Sequence, residues 1–242
     1  MILFMEGQTM NKPITVEVVV EGPTENRFIK QLLAPYWGTR NIFVNAPIIR
    51  TKVDEQHGKV YKGGDIRFER MKRQIENFLK QRKDVIVASF VDFYGIKEWP
   101  GLELIQKTNT PEQIANHLNS NAFEIIASEY DAWQARQRYF PFTAVHEFET
   151  LLFSDSQILA SELSISLKTV EDVLTQFGSP EAINNSYETA PSKRLEAWTN
   201  GLYGKITNGI VIAQKIGIEK MRQKCPLFDT WMKSIEALQE EA

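Results

Sequence analysis

The sequence contains a single cysteine, Cys225, in 242 residues, which excludes an internal disulfide framework and any zinc site built from several thiolates. No apolar run approaches the ~20 residues needed to span a bilayer. Internal repeats, low-complexity stretches and Gly/Ser linkers are also missing. Met1-Ile2-Leu3-Phe4-Met5-Glu6 has no basic lead and too short an apolar stretch for a signal peptide, so a cytoplasmic protein is expected. The phosphate-loop pattern Gly-x-x-x-x-Gly-Lys-[Ser/Thr] does not occur, which excludes ATP hydrolysis by that route, and no pair of histidines four apart brackets a glutamate as in zinc proteases. With 43% hydrophobic and 24% charged residues, the composition excludes disordered, collagen-like and coiled-coil chains.

Net positive charge is missing too. The formal charge is −3, whereas proteins that hold nucleic acid by bulk electrostatics are basic overall. A nucleic-acid role therefore needs a local basic surface, a metal or a partner. The one dense basic stretch runs from Lys62 to Lys83, with eight basic residues against three acidic, a local +5 that leaves −8 on the remainder.

Ile14–Val20 is β-branched and nearly all apolar, as expected for a strand buried on both faces. It ends at Glu21-Gly22-Pro23-Thr24-Glu25, where Thr24 is read as the cap of a helix carrying Phe28, Ile29, Leu32 and Leu33. A second strand is predicted over 43–50 and an amphipathic helix over 65–83, with Phe68, Met71, Ile75, Phe78 and Leu79 on its apolar stripe. A third strand, 85–91, terminates at Asp92-Phe93-Tyr94-Gly95. A helix is predicted from Pro111 to about Trp133, then a fourth strand over 139–145 leading into His146-Glu147-Phe148-Glu149. Only short helical segments follow. This alternation predicts an α/β fold, a mostly parallel Rossmann-like sheet flanked by helices over 14–155, with a helical C-terminal extension over 156–242 packed on it.

Glu21, Asp92 and the Glu147/Glu149 pair all follow strands. In open α/β sheets, ligand sites lie beyond the carboxyl ends of the strands, so these acids should converge on one edge. Collected like charges call for a divalent cation or a raised pKa. A carboxylate-dominated site favours Mg²⁺ or Mn²⁺, ions that commonly serve phosphoryl transfer. Glu25, in the first helical turn where the dipole favours a carboxylate, is placed to share a cation with Glu21. The plainer alternative is a strand–helix turn with a favourable acidic start. His146-Glu147-Phe148-Glu149 also reads two ways: extended, with both glutamates on one side, or helical, with His146 beside Glu149.

Glu21-Gly22-Pro23-Thr24-Glu25, Asp92-Phe93-Tyr94-Gly95 and His146-Glu147-Phe148-Glu149-Thr150-Leu151-Leu152-Phe153 together resemble the bacterial domain-of-unknown-function family 4276. Ala190-Pro191-Ser192-Lys193-Arg194-Leu195 and the stretch from Ile216 to Trp231 add to the likeness, which covers nearly the whole chain past residue 14. The resemblance implies a Toprim-like fold, related to the overcoming-lysogenization-defect nucleases, and Mg²⁺- or Mn²⁺-dependent cleavage of DNA or RNA. It implies Glu21, Glu25, Asp92, Glu147 and Glu149 as metal ligands, Glu21 as the residue that also moves a proton, and Lys193 as the cation near the scissile phosphate. His146, Tyr94 and Arg194 would support the site. It further implies a component of an anti-phage defence system working with an ATPase partner of the ABC or structural-maintenance-of-chromosomes type. The wider superfamily commonly carries Asp-x-Asp after the third strand; this chain has Asp92-Phe93-Tyr94, and Glu147 with Glu149 would have to replace the second Asp. The rival is a non-catalytic binding or regulatory subunit of such an ATPase.

Lys62, Arg67, Arg70 and Arg73 are the candidate nucleic-acid contacts, since a basic helix can track a phosphate backbone. A solvated, charge-rich helix face is the plainer alternative.

Overall fold

A computed structural model describes residues 12–54, 59–62, 66–184 and 189–240. The β-branched run Ile14–Val20 forms β1. Pro23–Phe28 (α1) follows and runs through a π turn at Ile29–Leu33 into Ala34–Gly38 (α2). Next come β2 (Ile42–Asn45), an antiparallel hairpin of β3 (Arg50–Asp54) and β4 (Lys59–Lys62), and the short β5 (Ile66–Arg67). Then follow α3 (Phe68–Gln81), β6 (Val85–Asp92), β7 (Ile96–Glu98), α4 (Pro111–Glu129), α5 (Ala135–Arg138) and β8 (Tyr139–Ala144). The remainder is helical: α6 (Ser156–Leu163), α7 (Leu167–Phe177), α8 (Pro191–Trp198), α9 (Ile210–Ile216), α10 (Ile218–Lys224) and α11 (Pro226–Glu240).

The main sheet has the order β2-β1-β6-β8, with every pairing parallel. This is the expected Rossmann-like α/β arrangement with an added helical part. Side chains alternate between two cores, as the period of a strand requires. Val16, Val18, Val20, Ala88 and Phe90 face one cluster, whereas Val19, Val85, Val87 and Val91 face the other. The second cluster is closed by α3 and α4. The first is closed by α1 and by the C-terminal helices, with Trp231 of α11 stacked on Phe142 of β8 at 5.2 Å between ring centroids. The helices after residue 156 thus complete one face of the sheet. No described helix is long and apolar enough to cross a membrane.

Some boundaries differ from the sequence expectation. The strand predicted over 43–50 stops at Asn45 and a separate strand begins at Arg50. Pro47, which has no N–H for a ladder, lies in the break, and the chain rejoins β1 through Val20 N to Pro47 O (3.0 Å) and Ile49 N to Val20 O (2.9 Å). The helix predicted to reach Trp133 ends at Glu129, because Asp131–Trp133 tightens into a 3-10 turn before Gln134 adopts a positive φ of 58°.

Candidate active site

Three parallel strands end together, and each end carries an acid. Glu21 follows β1, Asp92 closes β6, and Glu147 and Glu149 lie just past β8. The cap of α1 is Gly22 rather than Thr24: Pro23 takes the first helical position, where its fixed φ suits the helix, and Glu25 Oε2 reaches back to accept from Gly22 N at 2.9 Å. Asp92 Oδ1 accepts from Phe148 N (2.9 Å), tying the end of β6 to the segment after β8.

The His-Glu-Phe-Glu segment adopts neither simple form throughout. Glu147 is extended (φ −152°, ψ 162°), and a 3-10 stretch begins at Phe148. Both glutamates nevertheless turn toward one ammonium. Lys205 Nζ lies 3.0 Å from Glu149 Oε2 and 3.8 Å from Glu147 Oε1. Glu147 Oε2 also accepts from Ser192 N at the start of α8 (3.0 Å), and Tyr203 Oη donates to Glu149 Oε1 (3.4 Å).

Glu21 packs over Gly95, where a Cβ would come within 2.7 Å of its carboxyl carbon. Only glycine permits that approach. Glu21 Oε2 is buried without a hydrogen-bond partner among the described residues.

The electrostatics follow from five carboxylates and one ammonium in a buried space. Burial, followed by repulsion from Glu25, pushes Glu21 up from the usual 4.5 to about 7. Burial raises Glu25, and burial together with Glu25 and Glu21 holds Asp92 well above its ordinary value. Glu149 rises to about 7, again through burial, although Lys205 pulls it down. For Lys205, burial disfavours the charge, but Glu149, Asp92 and Glu147 outweigh it, so its pKa is raised and the ammonium persists.

These residues fit a hard divalent cation by chemistry: every donor is oxygen, the cluster has more acidic than basic groups, and one buried carboxylate oxygen has no partner among the described residues. As the side chains stand, no group of three or more His, Cys, Asp or Glu among the described residues is arranged to hold a metal ion. Oxygens of Glu25, Asp92, Glu147 and Glu149 are engaged by protein donors instead.

The supporting residues are placed unevenly. His146 stacks on Tyr94 (5.5 Å, 27°), and burial lowers its pKa to about 4, so the ring is neutral. The side-chain amide of Asn184 lies 3.2 Å from His146 Nδ1. Lys193 bonds Glu196 (2.8 Å) at a half-exposed position. The ammonium that stands among the acids is that of Lys205, whose side chain is fed inward by the π turn at Lys205–Gly209. Arg194 lies over the Phe177 ring (5.3 Å), with Nε buried and unbonded among the described residues. Arg67 pairs with Glu98 (2.7 Å). Arg70 and Arg73 line a groove beside α3. The side chain of Lys62 lies outside the described residues.

Lys205 and Tyr203 were not legible as site residues. The only trace is a lysine isolated in the glycine-rich stretch Gly201–Gly209.

Residues 20–236 match a family described as Domain of unknown function (DUF4276). The chain belongs to that family. The match begins one residue before Glu21 and extends through Lys205, so the whole acidic site is part of the family region. Comparison with curated proteins and with solved structures returned no match.

Proposed function

We propose that this DUF4276 member is a Toprim-like, Mg²⁺- or Mn²⁺-dependent nuclease that hydrolyses phosphodiester bonds in DNA or RNA. The observation that carries the reading is the buried Glu21 Oε2, without a hydrogen-bond partner among the described residues, in a cluster of five carboxylates with Lys205 beside it. Glu21 and Asp92, with Glu25, would hold the cation, and Glu147 and Glu149 would complete the charge. A divalent ion there supplies Lewis acidity at the phosphate and eases deprotonation of water near neutral pH.

The chain's own groups do the rest. Glu21, at the end of β1 beside Asp92, is the group proposed to take the proton. A water oxygen bonds to phosphorus, the bond from phosphorus to the leaving oxygen breaks, and Glu21 receives the water's proton. Lys205 holds Glu147 and Glu149 in place through its contacts at 3.8 and 3.0 Å. Lys193, half-exposed where it bonds Glu196, is proposed as the cation that meets the phosphate on the family resemblance alone.

A role in anti-phage defence beside an ATPase of the ABC or structural-maintenance-of-chromosomes type, in the cytoplasm, is proposed on the family resemblance. The test is cleavage of labelled DNA and RNA in Mg²⁺ or Mn²⁺, by the protein alone and with its neighbouring ATPase. Cleavage by wild type that Glu21→Ala abolishes supports the reading; no cleavage in either setting ends it.

A second reading, a non-catalytic subunit of such an ATPase, is favoured by Lys205, which already gives the carboxylates a counter-ion. Calorimetric titration with Mn²⁺ separates the two: the nuclease reading requires binding that Asp92→Asn weakens.

A further inference from the structure

Two kinds of donor meet the carboxylates of the acidic site. Main-chain N–H groups hold three of them: Gly22 N donates to Glu25, Phe148 N to Asp92 and Ser192 N to Glu147. Lys205 is the other kind, a point charge on a flexible four-carbon stem. Its Nζ makes a hydrogen bond to Glu149 Oε2 at 3.0 Å and a longer ion pair to Glu147 Oε1 at 3.8 Å. Against the upward push of burial, its charge acts on Glu21, Glu25, Asp92 and Glu149 alike. One ammonium is thus the counter-ion for acids from all three strand ends.

Exposure separates the lysine from its partner. The Glu149 side chain is fully buried, whereas 39% of the Lys205 side chain is exposed, so the acid is fixed and the lysine has a way out to water. The backbone beneath it need not move. Asn208 N and Gly209 N both donate to Gly204 O (2.8 and 3.2 Å), and Gly204 N donates to Asn208 Oδ1 (2.9 Å), which fastens the π turn at both ends. A Cβ on Gly209 would come within 2.7 Å of Tyr203 Oη, and that hydroxyl donates to Glu149. Rotation about the side-chain bonds of Lys205 is enough to carry its ammonium from the acids to solvent.

We propose that Lys205 is a tethered cation that stands in for the divalent ion among these carboxylates and is displaced to solvent when the ion binds, a regulation of the site that rests on the metal-centre reading above. An ammonium and a divalent ion repel each other across the same acids, and the doubly charged ion gains more from each oxygen ligand. The contacts that hold Glu147 and Glu149 in the metal-free protein are then given up to the ion. Lys205 keeps the acids together before loading and sets the metal affinity below what the acids alone would give, so the centre fills only at a higher concentration of the ion.

The test reads metal binding and amine exposure rather than cleavage. Mn²⁺ is titrated calorimetrically into full-length wild type, Lys205→Met and Lys168→Met at one pH and ionic strength. Lys168, paired with Asp172 at an exposed position, controls for the loss of one positive charge. Lys205→Met is expected to bind Mn²⁺ about tenfold or more tightly than wild type, because a competing like charge is gone from close range. Lys168→Met should match wild type. In parallel, wild type is acetylated briefly with an N-hydroxysuccinimide ester in EDTA and in Mn²⁺, and each lysine is read by mass spectrometry. Lys205 should label several-fold faster in Mn²⁺, with Lys168 unchanged as the internal standard. This second measurement needs no variant, so it decides the matter even where Lys205→Met does not fold. Equal or weaker Mn²⁺ binding by folded Lys205→Met, or Lys205 labelling that bound Mn²⁺ leaves unchanged, overturns the tethered cation while the metal centre stands. No Mn²⁺ binding by either protein overturns the metal centre, and the tethered cation with it.

Discussion

Lys205 Nζ sits 3.0 Å from Glu149 Oε2, across 56 residues of sequence. Glu149 is completely buried, so this contact places a lone ammonium inside a cluster of acids. Removing the half-exposed ammonium leaves the buried Glu149 without its counter-charge wherever that carboxyl is ionised. Lys205→Met is therefore expected to lower the melting temperature more at pH 8 than at pH 5, where protonated carboxylates relieve the loss. Added Mn²⁺ should recover part of the deficit at pH 8. A variant that melts like wild type at both values would show that the ammonium does not balance the cluster.

The raised carboxyl groups also fix a pH dependence for the metal-free protein. Glu21, Glu149 and Glu181 each move from the usual 4.5 to about 7, chiefly through burial. The folded state then binds protons more tightly than the unfolded chain, so stability is greatest below about 4.5 and is lost as pH rises toward 7. His146 acts oppositely: burial lowers it from 6.5 to about 4, and its contribution grows between those values. Three groups outweigh one. Urea unfolding in EDTA should give a lower midpoint at pH 7.5 than at pH 5.5, and a higher one would contradict the assignment.

Gly95→Ala tests the packing of Glu21. The added methyl overlaps the Glu21 carboxylate, so that side chain must turn away. Mn²⁺ affinity and any cleavage should fall about tenfold or more, following the usual sensitivity of metal sites to misplaced groups around them. Calorimetry on the folded variant reads this directly. Unchanged affinity would remove Glu21 from the ligand set.

Glu181 provides the structural contrast. Its two oxygens accept from Leu227 N and Phe228 N, both at 3.0 Å, capping α11. Glu181→Ala strands buried donors at about 1–3 kcal/mol each, so it should destabilise the fold by a few kcal/mol while leaving Mn²⁺ affinity of the folded protein unchanged. A selective loss of Mn²⁺ binding would instead make Glu181 part of the centre.

The sequence alone determined the alternating strands and helices, because buried β-branched runs such as Ile14–Val20 and an amphipathic stripe such as that of Phe68–Leu79 are local patterns. It also marked Glu21, Asp92, Glu147 and Glu149, because an acid directly after an apolar strand is visible in one dimension and parallel strands bring such positions to one edge. The tertiary structure decided which cation joins them. Lys193 and Lys205 are both single lysines near glycine or proline in the sequence, and only the π turn after Gly204 and the packing of α9 send Lys205 inward while Lys193 meets Glu196 at a half-exposed position. It also decided which acids hold particular basic residues of α3, since pairs such as Lys72 with Glu129 depend on distances that sequence separation does not encode.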